Sequence, residues 1–184
     1  MILGIDGGLA TCGWALLDDA RCEFVDLGVI MQPKRDDSAR TMTLERARRL
    51  TVQARVIAQK APGCSRIVVE QMSLPVGGSV NAVVGIALSW GALVGIVAMT
   101  EPRPHLLTIA PQRWQREVVP YAGKQVDYDE LAEAAAAHIL RRHPRAHAAL
   151  MRIPMSYRSH ALDAAMITLV GALRPHRCDE VEPA

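Results

Sequence analysis

The chain has no Cys-x-x-Cys pair, and its four cysteines show no zinc-site spacing. A cysteine zinc ribbon is thereby excluded. With no signal peptide at its start, Cys12, Cys22, Cys64 and Cys178 are expected as free thiols in a reducing cytoplasm, Cys12 and Cys22 within strands. Net charge is also scarce: 21 Lys and Arg against 19 Asp and Glu leave +2, so bulk charge announces no polyanionic partner. No internal repeat, low-complexity tract or linker interrupts the 184 residues, a length that suits one domain with a proper core. Half of the residues are hydrophobic, which excludes a disordered chain.

Charge is missing altogether from Gln71 to Thr100. Val80 to Met99 is long enough to span a bilayer. Asn81 and Ser89 interrupt it, however, and its charged flanks are Glu70 and Glu101 rather than basic residues. It reads as a buried helix of a globular protein, and no membrane partner is expected. Ala87, Gly91 and Gly95 recur every four residues and give one helix face a smooth stripe that another backbone can approach closely. Such a helix packs on its own sheet and, through the stripe, is a candidate seam for a second subunit.

The charge that is present is clustered. Between Lys34 and Lys60 stand eight Lys or Arg against Asp36, Asp37 and Glu45. Arg141, Arg142, Arg145, Arg152 and Arg158 follow one another without an acid, and the tail carries Asp179, Glu180 and Glu182. Two basic segments on a nearly neutral chain fit a phosphate-binding face; the plainer alternative is solvated helix surface.

The stretch around which the rest is organised is Met1 to Gly8. Ile2, Leu3 and Ile5 form a buried strand that delivers Asp6 at its carboxyl end, and Gly7-Gly8 clears the space beyond. Ligands of open α/β sheets bind at that end. Asp6 there is either a buried structural acid or a metal ligand. Cys12–Leu17 and Phe24–Ile30 read as further strands joined by a turn at Asp18-Asp19-Ala20, an antiparallel meander. Thr41–Lys60 has helical period. Ser65–Glu70 repeats the first motif, a branched apolar run ending in Glu70. The apolar helix, a strand at Leu106–Ile109, a helix at Pro111–Val118 and an alanine-rich helix at Tyr128–Arg142 follow. Arg145–Tyr157 reads as irregular, and Ser159–Leu173 as the last helix. His160 and Asp163 are three apart on that otherwise apolar helix and share a face. Each alone would be an ordinary paired core residue. Together with two strand-end acids they point to a cation, because converging carboxylates repel one another.

The order of these elements resembles the RNase H-like superfamily, and more closely the RuvC family of Holliday junction resolvases. The residues that carry the resemblance are Ile2-Leu3-Gly4-Ile5-Asp6-Gly7-Gly8 with Gly13, Val68-Val69-Glu70-Gln71, and His160-Ala161-Leu162-Asp163-Ala164. They extend over about Met1 to Leu173. The resemblance implies an α/β nuclease domain over residues 1–174 with a mixed five-stranded sheet, antiparallel meander plus parallel strands, flanked by helices. Residues 175–184 are expected as a flexible acidic tail. It further implies that Asp6, Glu70, His160 and Asp163 bind two Mg²⁺ ions about 4 Å apart that clamp one scissile phosphate, with Mn²⁺ as a substitute. The implied activity is paired nicking of four-way DNA junctions by a homodimer. Its phosphate contacts would come from Arg46, Arg49, Arg113, Arg116, Lys124, Arg152 and Arg158, and its dimer seam from Ala87, Gly91 and Gly95.

The sequence departs from the family pattern at three places. Gly7 stands where Pro is common. Met72, Ser73 and Leu74 stand where some members carry an aromatic wedge. No basic residue occupies the neighbourhood of Trp114 in the usual place, although Arg113 and Arg116 flank it. Other readings are an RNase H-like RNA-processing nuclease of the YqgF type, an actin-like kinase or ATPase, for which the chain has one domain too few, and an inert junction-binding module.

Overall fold

The computed structural model describes residues 1–7, 11–31, 42–71, 80–118, 128–173 and 179–180. Side chains at 42–49, 80–82, 85–86, 128–133, 173 and 179–180 are outside the description. In chain order the elements are β1 (Ile2–Gly7), β2 (Thr11–Asp18), β3 (Glu23–Met31), α1 (Met42–Lys60), β4 (Arg66–Glu70), α2 (Val80–Ala98), β5 (His105–Ile109), α3 (Pro111–Val118), α4 (Tyr128–Leu140), α5 (Pro144–Arg152), a 3₁₀ turn (Met155–Tyr157), α6 (Arg158–Leu173) and β6 (Asp179–Glu180).

The sheet runs β3-β2-β1-β4-β5-β6. β1, β2 and β3 form the expected antiparallel meander, and β4 and β5 extend it in parallel with β1. The five anticipated strands are joined by a sixth of two residues, β6, antiparallel to β5 at Leu107 and Thr108. This short strand lies in the segment expected to be a free tail; the division at 174/175 itself lies outside the described residues. So do the expected loops at 32–39, 75–78 and 121–124.

Because side chains alternate across a strand, β1 serves two cores. Ile2 packs with Val68, Leu107 and the apolar face of α6. Leu3 and Ile5 pack with Ile67 and Val69, with Ile57 of α1, and with Leu93 and Val97 of α2. Helices α3 to α6 therefore cover one face of the sheet and α1 and α2 the other. Asp6 shares the parity of Ile2, and Glu70 that of Val68. Both carboxylates thus fall on the α6 face.

Helix α6 lies flush on the sheet. A Cβ on Gly13 of β2 would sit 1.9 Å from the His160 carbonyl oxygen, and one on Gly4 of β1 would sit 1.9 Å from Thr168 Oγ1. Only glycine permits these approaches. Thr168 Oγ1 bonds back to the Ala164 carbonyl at 2.6 Å. At the far end Arg66 donates to the Gly171 carbonyl at 3.0 Å, satisfying part of the helix terminus.

Two expectations are corrected. Arg145–Tyr157 is not irregular throughout, since α5 and the 3₁₀ turn take up most of it: Pro144 opens α5 at a position where its missing N–H costs nothing, and Ala146 and Leu150, four apart, are buried. Cys22 is not in a strand. The Asp18 carboxylate accepts the Ala20 and Arg21 amides, closing a turn that leaves Cys22 exposed at φ +51 before β3 begins. Among the described residues of α2, Ser89, Leu93 and Val97 are buried, whereas Val84, Ala87, Leu88, Gly91, Gly95 and Ala98 are exposed, so the stripe of Ala87, Gly91 and Gly95 lies at the surface of this chain. Among the described residues no helix is long and apolar enough to cross a membrane.

Candidate functional site

β1 and β4 are parallel and paired as far as Ile5 and Val69. Asp6 and Glu70 are the next residues on each strand. They stand side by side at the carboxyl edge, on the face that α6 covers. Helix α6 contributes His160 in its first turn and Asp163 one turn later on the same side.

Asp6 is largely buried, with a side chain 12% exposed, and its Oδ2 lies 2.7 Å from His160 Nδ1. This hydrogen bond is the main cause that raises the His160 pKa above its ordinary value. Burial opposes it, and the negative fields of Asp6, Asp163 and Glu70 add to it. One imidazole therefore feels all three carboxylates: the sequence-predicted set is gathered in one electrostatic neighbourhood. Buried Cys12, beside it on β2, has its thiol pushed up to about 12 by burial and by the Asp6 charge. Its side chain packs in the core on the α1 and α2 face of the sheet, away from the face that carries Asp6.

Glu70 accepts the indole N–H of Trp114 at 2.8 Å on Oε1. Trp114 belongs to α3 and is 2% exposed. Sequence reasoning missed this partnership. The available signal was the tryptophan itself, since a buried indole N–H nearly always finds an acceptor.

The basic residues are less concentrated. Arg113 is half-buried and Arg116 exposed on α3, and Arg152 is exposed in the last turn of α5. Arg158 donates from Nε to the Ile153 carbonyl at 2.9 Å and from Nη2 to that of Met151 at 3.2 Å, which commits two of its donors to the end of α5. Arg46 and Arg49 belong to the half of α1 that starts from the carboxyl edge of the sheet, but their side chains are not described, and Lys124 lies outside the described residues.

The four side chains make an oxygen-rich donor set with one imidazole, of the kind hard divalent cations and Mn²⁺ accept. The surplus of carboxylates around His160 is the electrostatic counterpart of a cation site. In their present rotamers, among the described residues, no three His, Cys, Asp or Glu side chains are close enough to hold a metal ion. The donor chemistry fits the ions; a finished coordination shell is not preformed.

No family model matches the chain, and no curated protein matches it. Solved structures do. Thermus thermophilus RuvC, solved with a Holliday junction substrate, is similar at a TM-score of 0.61 over 98% of each chain, with 15% identity. The yeast mitochondrial Holliday junction resolvase Ydc2 is similar at 0.59, covering 96% of this chain and 81% of its own, with 13% identity. The chain has the fold of the Holliday junction resolvases. A third resolvase, that of fowlpox virus with its substrate junction, shares the fold at 0.54 and 8% identity over 93% of this chain and 99% of its own. At such identities it is the backbone that is common. On this backbone Asp6, Glu70, His160 and Asp163 lie toward one edge of the sheet, with Asp6 and His160 in direct contact.

Proposed function

We propose that the chain is a divalent-metal-dependent endonuclease that resolves four-way DNA junctions, acting as a homodimer that nicks two like strands. The observation that carries this reading is the convergence of Asp6, Glu70 and Asp163 on His160, from two adjacent parallel strands and the helix that covers them. The shared fold supports it, since two of the similar resolvases were solved with junction DNA. Asp6, Glu70, His160 and Asp163 would hold two Mg²⁺ ions, and Mn²⁺ would tolerate the imidazole better. Bound there, the ions would supply an activated water and charge compensation for the departing oxygen.

The chain's own residues set the frame. Asp6 and Glu70 project from the centre of the sheet, so their separation is fixed by strand register rather than by a loop. The flush seat of α6 on Gly13 fixes His160 against Asp6. Arg46, Arg49, Arg113, Arg116, Lys124, Arg152 and Arg158 are the proposed phosphate contacts, positioning the junction without reading its sequence. The open face of α2 around Gly91 and Gly95 is the proposed dimer seam. A four-way junction is nearly two-fold symmetric, and a two-fold dimer presents two sites to two like strands.

The test is incubation of the protein with synthetic four-way junctions, duplexes and flaps in Mg²⁺ and in Mn²⁺, with nicks mapped on each strand. Paired nicks confined to junctions are expected. Asp6→Asn should abolish nicking and keep junction binding, because the phosphate contacts lie elsewhere. Binding without cleavage in either metal by the wild type would favour the inert junction-binding module, and an Asp6→Asn variant that cuts at the normal rate would move the site.

A further inference from the structure

We propose that Trp114 is a positioning residue for Glu70: its indole N–H holds one carboxylate oxygen in place so that Glu70 meets a metal ion already oriented. The inference rests on the metal-site reading above and adds a residue to it.

Three observations carry it. The first is the bond itself, 2.8 Å from Nε1 to Oε1. A neutral carbonyl would have satisfied a buried indole; here the acceptor is a carboxylate, and a bond to an ionised acceptor is stronger than one between neutral groups. The second is the rigidity of the donor. Trp114 is 2% exposed and packs in the core that α6 shares with the sheet, beside Ile109 and Leu162. An indole held on all sides cannot follow a wandering carboxylate; the carboxylate must come to it. The third is the route of the chain. Ile109 of β5 pairs with Glu70 of β4, and the Gln71 amide bonds to the Ile109 carbonyl at 2.7 Å. Helix α3 begins two residues after Ile109, and the Trp114 amide closes its first turn on the Ala110 carbonyl at 3.2 Å. One helical turn thus carries the indole to the end of the neighbouring strand. No mobile loop intervenes between β5 and Trp114.

A glutamate has three side-chain torsions, and ordering them opposes ligation. Trp114 restricts them in advance. Partners of this kind behind metal-binding groups change metal affinity by about 10- to 100-fold when removed. Trp114→Phe keeps an aromatic ring in the core and deletes the N–H, so it is the variant of choice.

The first measurement is calorimetric titration of metal-free protein with Mn²⁺, for wild type, Trp114→Phe, Glu70→Gln and the double variant, with Asp6→Asn as control. Trp114→Phe should weaken Mn²⁺ binding about tenfold or more. In the Glu70→Gln background the same change should have little further effect, because the carboxylate it orients is gone; a packing role would weaken both backgrounds alike. The second measurement does not depend on Trp114→Phe being well folded. In the ¹⁵N–¹H spectrum of the wild type, the Trp114 indole signal should move on titration with Mg²⁺, and Glu70→Gln should suppress that movement. Mn²⁺ binding that Asp6→Asn abolishes but Trp114→Phe leaves at wild-type strength would overturn the role of Trp114 while keeping the metal site. So would a Trp114 indole signal that is unmoved at saturating Mg²⁺. Absence of Mn²⁺ binding by the wild type would overturn the metal reading itself, and the inference with it.

Discussion

Replacing Gly13 by Ala tests how the site is held together. The added Cβ would lie 1.9 Å from the His160 carbonyl oxygen, 2.4 Å from its carbonyl carbon and 3.1 Å from the Ala161 nitrogen. All three are backbone atoms of the first turn of α6, so no side chain can swing aside. Ordinary contact begins near 3.4 Å, and the helix must retreat by about 1.5 Å to reach it. Overpacking of a close-packed core costs about 1–3 kcal/mol. A loss of 2 kcal/mol in a chain of this size lowers Tm by roughly 4–8 °C. The functional loss should be larger than stability alone explains. The retreating turn carries His160, whose Nδ1 is 2.7 Å from Asp6 Oδ2, and a shift of that size takes the pair out of hydrogen-bond range. Misplacement of a catalytic group by about 1 Å can cost 10²-fold in rate. Gly4→Ala is the comparison. Its Cβ meets Thr168 and Ala164, farther along the same helix, so it should lose comparable stability with less damage to nicking. Urea melts, Mn²⁺ affinity and single-turnover nicking would be measured side by side. A Gly13→Ala protein with wild-type stability and wild-type nicking would refute the flush packing and the argument that it positions His160.

Three further outcomes are expected. The folded-state pKa of His160 is raised, mainly by its Asp6 hydrogen bond. In the metal-free protein its contribution to stability is therefore full below the unfolded value of about 6.5 and is lost as pH rises through the folded value; urea melts across that window should flatten in His160→Ala, and an unchanged profile would count against the pair. Gly91 is exposed with nothing within 4 Å of where its Cβ would be, so Gly91→Glu should leave the monomer's stability within about 0.5 kcal/mol yet abolish dimers in sedimentation velocity; a wild type that is monomeric at micromolar concentration, alone and on junction DNA, would remove the seam. Junction affinity should fall steeply between 50 and 200 mM salt as phosphate counterions are released, and a flat response in a filter-binding series would contradict the basic face.

The strands of the site were legible because the apolar runs at Ile2–Ile5 and Ile67–Val69 are short, branched and each closed by one acid. Period-two alternation then places Asp6 and Glu70 on one face without further information. His160 and Asp163 were legible because polar groups three apart on an otherwise apolar helix must face something. What the sequence hid was contact between elements far apart along the chain. Nothing in Gly13 announces that a helix carbonyl will rest on it, and Trp114 shows a donor without naming its acceptor. Helix α5 is hard to read from the sequence because it is short, opened by Pro144 and rich in His and Arg, although Ala146, Ala149 and Leu150 do face the core. Cys22 was misplaced because the decisive bonds come from Asp18, a side chain that competes with the strand ladder for the same amides.

The parallel pairing of β1 with β4 carries a consequence for how such a chain can diverge. Both strands start from one anchor, where the Ser65 amide bonds to the Met1 carbonyl at 2.9 Å, and count outward in step to Asp6 and Glu70. Substitutions along either strand can change packing but cannot alter that count. A one-residue deletion inside either strand can, and by period two it would turn one carboxylate to the α1 and α2 side of the sheet, away from α6. Insertions in the connections after β3 or β4 leave the count intact. Descendants of this chain should therefore vary freely in connection length while the number of residues from Met1 to Asp6, and from Ser65 to Glu70, stays frozen.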